Sequence, residues 1–233
     1  MRMIRGRNVY AVFLKQANDI LKNTAVLILF AVYPVIAFVM TKSIPEQSVF
    51  FVSLFGTMHA IFTPLMATSS IIAEEKEKNT LRVLILSNVT PLEYLLSIGT
   101  FVFICTNVSA FLFAAMAGFS GMDYLCFVLA MMLGSICSII LGASLGTFSK
   151  NQMSASATSV PLGMVFSFLP MLASFNTSVK SVSRFTFGQQ ISNLLASPRL
   201  STFTAEPFII IGANLLIIAA VFLYAYRKKG LDG

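Results

Sequence analysis

Residues 73–96 read AEEKEKNTLRVLILSNVTPLEYLL and lie between two long apolar runs. Glu74, Glu75, Lys76, Glu77 and Lys78 place five charges in succession where the flanking sequence is fit for a membrane. Each charge at a helix centre costs about 2.5 to 3.5 kcal/mol to insert, whereas each Leu, Ile or Val returns only about 0.3 to 0.6. Val83-Leu84-Ile85-Leu86 cannot offset that run, so the preceding span has to end near Ala73 and the chain has to leave the bilayer. From Asn79 to Thr90 there is room for a helix of at most about 18 Å, well short of a hydrocarbon core of about 30 Å. Yet Leu81, Val83, Leu84, Ile85, Leu86 and Val89 wrap most of that helix's circumference, which one membrane surface cannot cover. The segment predicts a short helix over 79–90, outside the membrane, with a protein partner on its second side. Thr90-Pro91-Leu92-Glu93 then supplies an N-cap, a proline at the first helical position and an acid three residues after the cap, which starts a new helix.

Working outward, the composition agrees. The 233 residues are 57% hydrophobic and 11% charged, with a mean hydropathy of +0.84, against roughly 25% charged residues in a soluble domain. The expectation is an all-α polytopic membrane protein with six transmembrane helices, near residues 24–41, 49–73, 92–117, 124–148, 153–175 and 207–226. One transmembrane domain then takes up residues 1–233 and leaves no room for a soluble catalytic domain. Tyr10, Phe13, Leu14, Ala17 and Leu21 recur at helical spacing opposite Lys15, Asn18, Asp19 and Lys22, so residues 4–22 predict an amphipathic helix along the membrane surface.

Of the sixteen Lys and Arg residues, twelve are inside if both termini are cytoplasmic, as the positive-inside rule requires. The net charge of +7 is thereby topological and gives no reason to expect a nucleic-acid partner. Cys105, Cys126 and Cys137 fall in spans without metal-ligand spacing and read as packing residues. Small residues recur four apart in two spans, as Thr106, Ala110, Ala114, Gly118 and as Gly134, Ser138, Gly142, Gly146, and favour close intramolecular helix packing over a subunit interface. Tyr94, Tyr124, Tyr224 and Tyr226 fall near span ends, where an aromatic belt belongs. In the outer segment, 176–206, Phe185, Phe187, Ile191, Leu194 and Leu195 are too few to cross the membrane and suit a short amphipathic or partly re-entrant helix.

The stretch from Glu74 to Leu96 resembles the loop between the second and third spans of ABC type 2 exporter permeases. Glu75, Lys76, Glu77 and Lys78 match that family's charged run, Thr80 and Leu81 its core, and Val89, Thr90 and Pro91 its exit. Asn79 stands where Gly is usual and Arg82 where Glu is usual; Asn also tolerates left-handed backbone geometry. The resemblance implies that 79–90 is a coupling helix seated on a separate ATPase subunit. Glu75, Glu77, Thr80, Leu81, Arg82, Leu84, Ile85 and Pro91 form its coupling region, with Leu81, Leu84 and Ile85 as buried contacts and Arg82 as a polar one. It also implies a second permease copy or paralogue, a bacterial plasma membrane location with both termini cytoplasmic, and a pathway between the two halves. Because the chain contains no G-x-x-x-x-G-K-[ST] phosphate loop, no cofactor is expected in it, and ATP and Mg would be held by the ATPase partner. Tyr33, His59, Phe62, Phe166 and Phe168 are the candidate pathway residues; their aromatic, weakly polar character suits an amphipathic peptide, a toxin or a hydrophobic antibiotic.

Two other readings compete. Gly142-Ala143-Ser144-Leu145-Gly146 formally matches G-x-S-x-G, and Ser144 with the single histidine, His59, would make the dyad of an intramembrane serine protease. That motif needs a strand-to-helix turn, while this one sits on a helical ridge of small residues. A non-transporting membrane scaffold would share the ridges but has no use for a short helix that is apolar all round.

Overall fold

In lipid every backbone polar group has to be satisfied within the protein, so long apolar runs become helices. The computed structural model, which describes residues 5–229, contains ten α-helices and no strand among those residues. They are α1 (Gly6–Lys22), α2 (Thr24–Ser43), α3 (Ser48–Glu77), α4 (Thr80–Leu86), α5 (Pro91–Met116), α6 (Gly121–Phe148), α7 (Gln152–Phe175), α8 (Thr177–Ser183), α9 (Phe187–Ala196) and α10 (Ala205–Lys229). Six of them, α2, α3, α5, α6, α7 and α10, are long and apolar enough to cross a membrane. The protein is an all-α polytopic membrane protein.

α3 is the axis. Its most apolar stretch is 72% buried, against 22% for α2, 28% for α7 and 17% for α10. The small-residue ridge of α6 allows this: Gly134 lies over Ala60, Gly142 over the carbonyl of Leu65 and Gly146 over Ile72. A Cβ on Gly146 would stand 2.9 Å from the Ser69 carbonyl oxygen, closer than carbon packs. α7 carries a further ridge, Ala155, Ser159, Gly163 and Ser167, all buried. It rests on α3 with Ser159 Oγ donating to Ser69 Oγ at 2.8 Å. Pro34, Pro64, Pro161 and Pro170 lie inside continuous helices.

The outer segment is drawn inward. α9 packs on α3, α6, α7 and α10. Phe187, Ile191, Leu194 and Leu195 are buried, while Phe185 is left exposed at the rim. Gly188 is so close to the Phe166 carbonyl that no side chain fits there.

Several ends differ from expectation. α3 continues as helix past the membrane exit expected near Ala73 and carries the charges as its last turn, through Glu77, where they bond to neighbouring helices. α4 spans only Thr80–Leu86, held between Asn79 at φ 57° and Asn88 at φ 65°. Such left-handed positions end helices, and the Val89 amide closes α4 by donating to the Leu84 carbonyl at 3.1 Å. Tyr94 does not join an aromatic belt: it is fully buried, its hydroxyl beside the Glu75 carboxylate.

Candidate functional site

The five charges that interrupt the membrane sequence each have a different address. Glu75, 6% exposed, accepts hydrogen bonds from Lys15 Nζ at 2.6 Å and from Gln16 Nε2, both on α1. Lys76 Nζ donates to the Thr147 carbonyl at the end of α6, 2.8 Å away. The Glu77 carboxylate accepts from the Gln152 amide at the start of α7, at 2.9 Å. Glu74 and Lys78 pair with each other at 2.5 Å, one turn apart. The run thereby ties the end of α3 to α1, α6 and α7. Burial pushes the Lys15 pKa down, but its bonds and charge pairs with Glu75 and Asp19 outweigh this and raise it, so its ammonium is retained.

A second buried acid, Glu93, secures the other end of α1. Glu93 and Thr90 form the full capping box of α5. The Glu93 carboxylate also accepts from the Arg5 amide at 2.6 Å and from Asn8 Nδ2 at 3.0 Å. α1 is in consequence a strap between α3 and α5. Val12, Gln16 and Ile20 form its protein-facing stripe, each 5% exposed or less, while Tyr10 and Leu14 are 64% and 43% exposed on the other side. The helix expected over residues 4–22 is observed as Gly6–Lys22, with these two apolar side chains exposed. Residue 4 and the Leu21 side chain lie outside the described residues.

α4 hangs from this platform with two unlike faces. Leu81, 1% exposed, enters the cluster built by Val12, Ile20, Ile71, Ile72, Tyr94 and Ile98, and Leu84 and Val89 pack against its edge. Thr80 Oγ1 donates to the Glu75 carbonyl at 3.2 Å. Val83 and Leu86 point away, 60% and 76% exposed, with Arg82 exposed beside them.

A separate feature runs up α3. Between Gly56 and Ala73 every residue is buried except Phe62, Met66 and Ser70, which repeat every four positions and so share one face. Phe62 meets the Tyr33 ring of α2 edge-on at 6.3 Å, and its ring also covers Gly163 of α7. The stripe looks out between α2 and α7, both of which pack on α3.

A family model described as ABC-2 family transporter protein matches residues 7–226. The chain belongs to the ABC-2 transporter family. It is a membrane permease subunit of an ABC transporter, and such subunits are generally not catalytic themselves. No curated protein matches the sequence.

Within this ABC-2 permease the expected coupling residues divide. Glu75, Glu77, Thr80 and Pro91 build and hold the platform: Pro91 is the first residue of α5, and the other three bond as described above. Leu81, expected to meet a partner, is 1% exposed and packs in the permease's own core. Leu84 is half-buried against the same core, Arg82 is exposed, and the Ile85 side chain lies outside the described residues. Val83 and Leu86 are the exposed apolar residues that sequence reasoning did not single out. A segment apolar all round gives no periodicity from which to choose sides.

The candidate pathway residues also separate. Tyr33 and Phe62 adjoin the α3 stripe, and Phe168 is 38% exposed on α7. Phe166 turns inward onto Phe187, with ring centroids 5.0 Å apart. His59 has no exposed surface. Its Nε2 lies 3.2 Å from the Thr106 carbonyl and its Nδ1 3.3 Å from Thr63 Oγ1. With Nε2–H donating to that carbonyl, Nδ1 is an acceptor facing a threonine hydroxyl that also lies 3.3 Å from the Leu29 carbonyl. Ser144 Oγ donates to the Ile140 carbonyl at 2.9 Å. Since α6 packs beside α3 with Gly142 at the level of Leu65 and Gly146 at that of Ser69, Ser144 sits about eight residues, roughly 12 Å, further along the bundle than His59. The two groups do not form a dyad. Met66 and Ser70 were missed, although the four-residue step from Phe62 points to both.

Proposed function

We infer that this ABC-2 permease is the membrane half of an ATP-driven exporter and that α4 is the element through which a separate ATPase moves it. The observation that carries this reading is the pair of exposed apolar side chains, Val83 and Leu86, on a helix whose opposite face is locked into the platform. Apolar groups that water would otherwise surround gain free energy when a partner covers them. Force applied at α4 passes through Leu81 and the Thr80–Glu75 bond to the end of α3, and from there to α1, α6 and α7. On this reading the α4 end of the bundle is cytoplasmic in a bacterial plasma membrane, and both termini lie there, as positive-inside charge favours. ATP and Mg are bound by the ATPase partner.

The space between α2 and α7 is the side on which a second permease copy or a paralogue completes the pathway. The stripe of α3 that opens between them, with Phe62 against both helices, supports this. Phe62, Met66 and Ser70 carry no charge, which suits passage of an amphipathic peptide, a toxin or a hydrophobic antibiotic. The test is purification of the tagged chain in mild detergent together with its native neighbours, followed by mass spectrometry. A stoichiometric subunit with a Walker phosphate loop, lost from a Val83→Asp/Leu86→Asp variant that still folds, is the expected result. A permease that purifies alone, or a variant that keeps the ATPase, overturns the reading.

A further inference from the structure

On the side of the bundle away from the α2–α7 space, α5 and α10 both pack on α6 and leave a groove between them. Its volume is about 580 Å³, within the range of small-molecule sites. Leu96 and Gly99 of α5 form one wall, Ala219 and Phe222 of α10 the other, and Ile139 and Ile140 of α6 the floor. Gly99 and Ala219 are what keep it open: a Cβ on Gly99 would meet only Ile139, at an ordinary 3.5 Å, so a larger side chain there projects into the groove without displacing backbone.

The groove belongs to the half of the membrane nearest α4. Leu92 in the first turn of α5 and Leu223 near the end of α10 mark its mouth. The charges at that mouth are of one sign. Arg227 follows one turn beyond Leu223 on the same side of α10, and Arg5 and Arg7 are exposed at the start of α1, which packs on α5; Lys228 is turned away, its Nζ donating to Tyr224 Oη at 3.2 Å. The one acid nearby, Glu93, is 1% exposed and saturated by Arg5, Asn8 and Thr90. An apolar slot inside the bilayer beneath a basic rim matches a lipid with a hydrocarbon tail and an anionic headgroup.

We propose that this groove holds one acyl chain of a resident anionic phospholipid, its headgroup paired with Arg227. The lipid is structural rather than cargo, since the groove lies on the opposite side of α3 and α6 from the space between α2 and α7. This site does not depend on the exporter reading, which supplies only the identity of the leaflet as the inner one.

The chain contains no tryptophan, so a single introduced Trp reports on its own surroundings. Phe222→Trp places the probe in the groove. Val221→Trp, one residue away and 43% exposed to lipid, places it at nearly the same depth outside. Each full-length variant is reconstituted in phosphatidylcholine vesicles carrying increasing fractions of brominated phosphatidylglycerol. At Phe222→Trp, quenching is expected to reach half its maximum at an anionic fraction lower by roughly five-fold for each basic residue engaged, while Val221→Trp follows bulk composition. Adding Gly99→Leu should abolish the difference, and Arg227→Gln should remove the anionic preference but not quenching itself. Should Phe222→Trp misfold, Leu96→Trp reports from the facing wall. Identical curves inside and outside the groove, or curves that Gly99→Leu leaves unchanged, overturn the proposal. Neither result depends on an ATPase, so failure here is distinct from failure of the exporter reading.

Discussion

Truncating the two leucines on opposite faces of α4 should produce opposite defects. Leu81 is 1% exposed in the platform cluster. A buried Leu→Ala change costs about 2 to 5 kcal/mol, and at about 2 to 4 °C per kcal/mol for a chain of this size a mid-range loss of about 3 kcal/mol lowers Tm by roughly 6 to 12 °C. Leu86 is 76% exposed, so its truncation should change stability by no more than about 0.5 kcal/mol, under roughly 2 °C. The same exposure leaves Leu86 most of its apolar surface to bury on docking. Full burial of a leucine is worth about 1.5 to 3 kcal/mol, so Leu86→Ala should weaken ATPase binding by roughly ten-fold or more. Cys126 and Cys137 are 2% and 1% exposed and react only on unfolding, so with the partly exposed Cys105 replaced by Ser a thiol-reactive fluorophore gives the melting curve. Affinity is read by titrating the purified ATPase onto the detergent-solubilised permease. A Leu81→Ala protein that melts like the wild type yet loses the ATPase would refute the assignment of faces.

Four further outcomes are expected. Lys15→Met leaves Glu75 buried with Gln16 as its remaining α1 partner; because Lys15 is about one-third exposed, the loss should fall below the range for fully buried pairs, at about 2 kcal/mol, and adding Glu75→Gln should recover most of the lost Tm. The raised pKa of Lys15 means the contribution of its charge is fully present below the ordinary lysine value of 10.5 and is lost only as pH climbs through the higher folded value. The Tm difference between wild type and Lys15→Met should therefore stay constant from neutral pH up to the ordinary lysine value and shrink above it. Gly142→Ala drives a methyl onto the Leu65 carbonyl and should cost about 1 to 3 kcal/mol, whereas Gly212→Ala, with open space around it, should not destabilise; the same melts measure both. Asn79→Ala should lose about 1 kcal/mol through its left-handed backbone, and Asn79→Gly should not.

What the sequence made legible was whatever depends on near neighbours. The Thr90–Glu93 capping box, the left-handed tolerance of Asn79 and the six apolar runs are decided within a few residues or one bilayer thickness. The Gly134–Gly146 ridge was legible as close packing because only a neighbouring helix has a use for it. Contacts across the chain were not. Glu75 finds Gln16 and Lys15 some sixty positions away, and Glu77 finds Gln152 at a similar remove. A charge run gives no sign of which helices will neutralise it. Asn8 and Gln16 were hidden for a related reason: they share a stripe with Val12 and Ile20, and their polar atoms are needed only because Glu93 and Glu75 face them. Likewise α9 reads as a rim helix until α3, α6, α7 and α10 are arranged to leave a place for it.

The central position of α3 also has a consequence for synthesis. Its buried face includes Ser53, Thr57, His59, Thr63, Thr68 and Ser69. Several of these reach partners made later, such as Thr106 in α5 for His59 and Ser159 in α7 for Ser69. At about 5 to 20 residues per second, translation leaves α3 waiting several seconds for α6 and α7 to emerge. During that interval the most buried helix of the finished protein is its most exposed, with hydroxyls and an imidazole turned toward hydrocarbon. The ribosome-bound chain therefore needs α3 to be kept beside the translocon or an insertase until α6 arrives, and crosslinks from Thr63 to that machinery should persist longer than those from lipid-compatible α2.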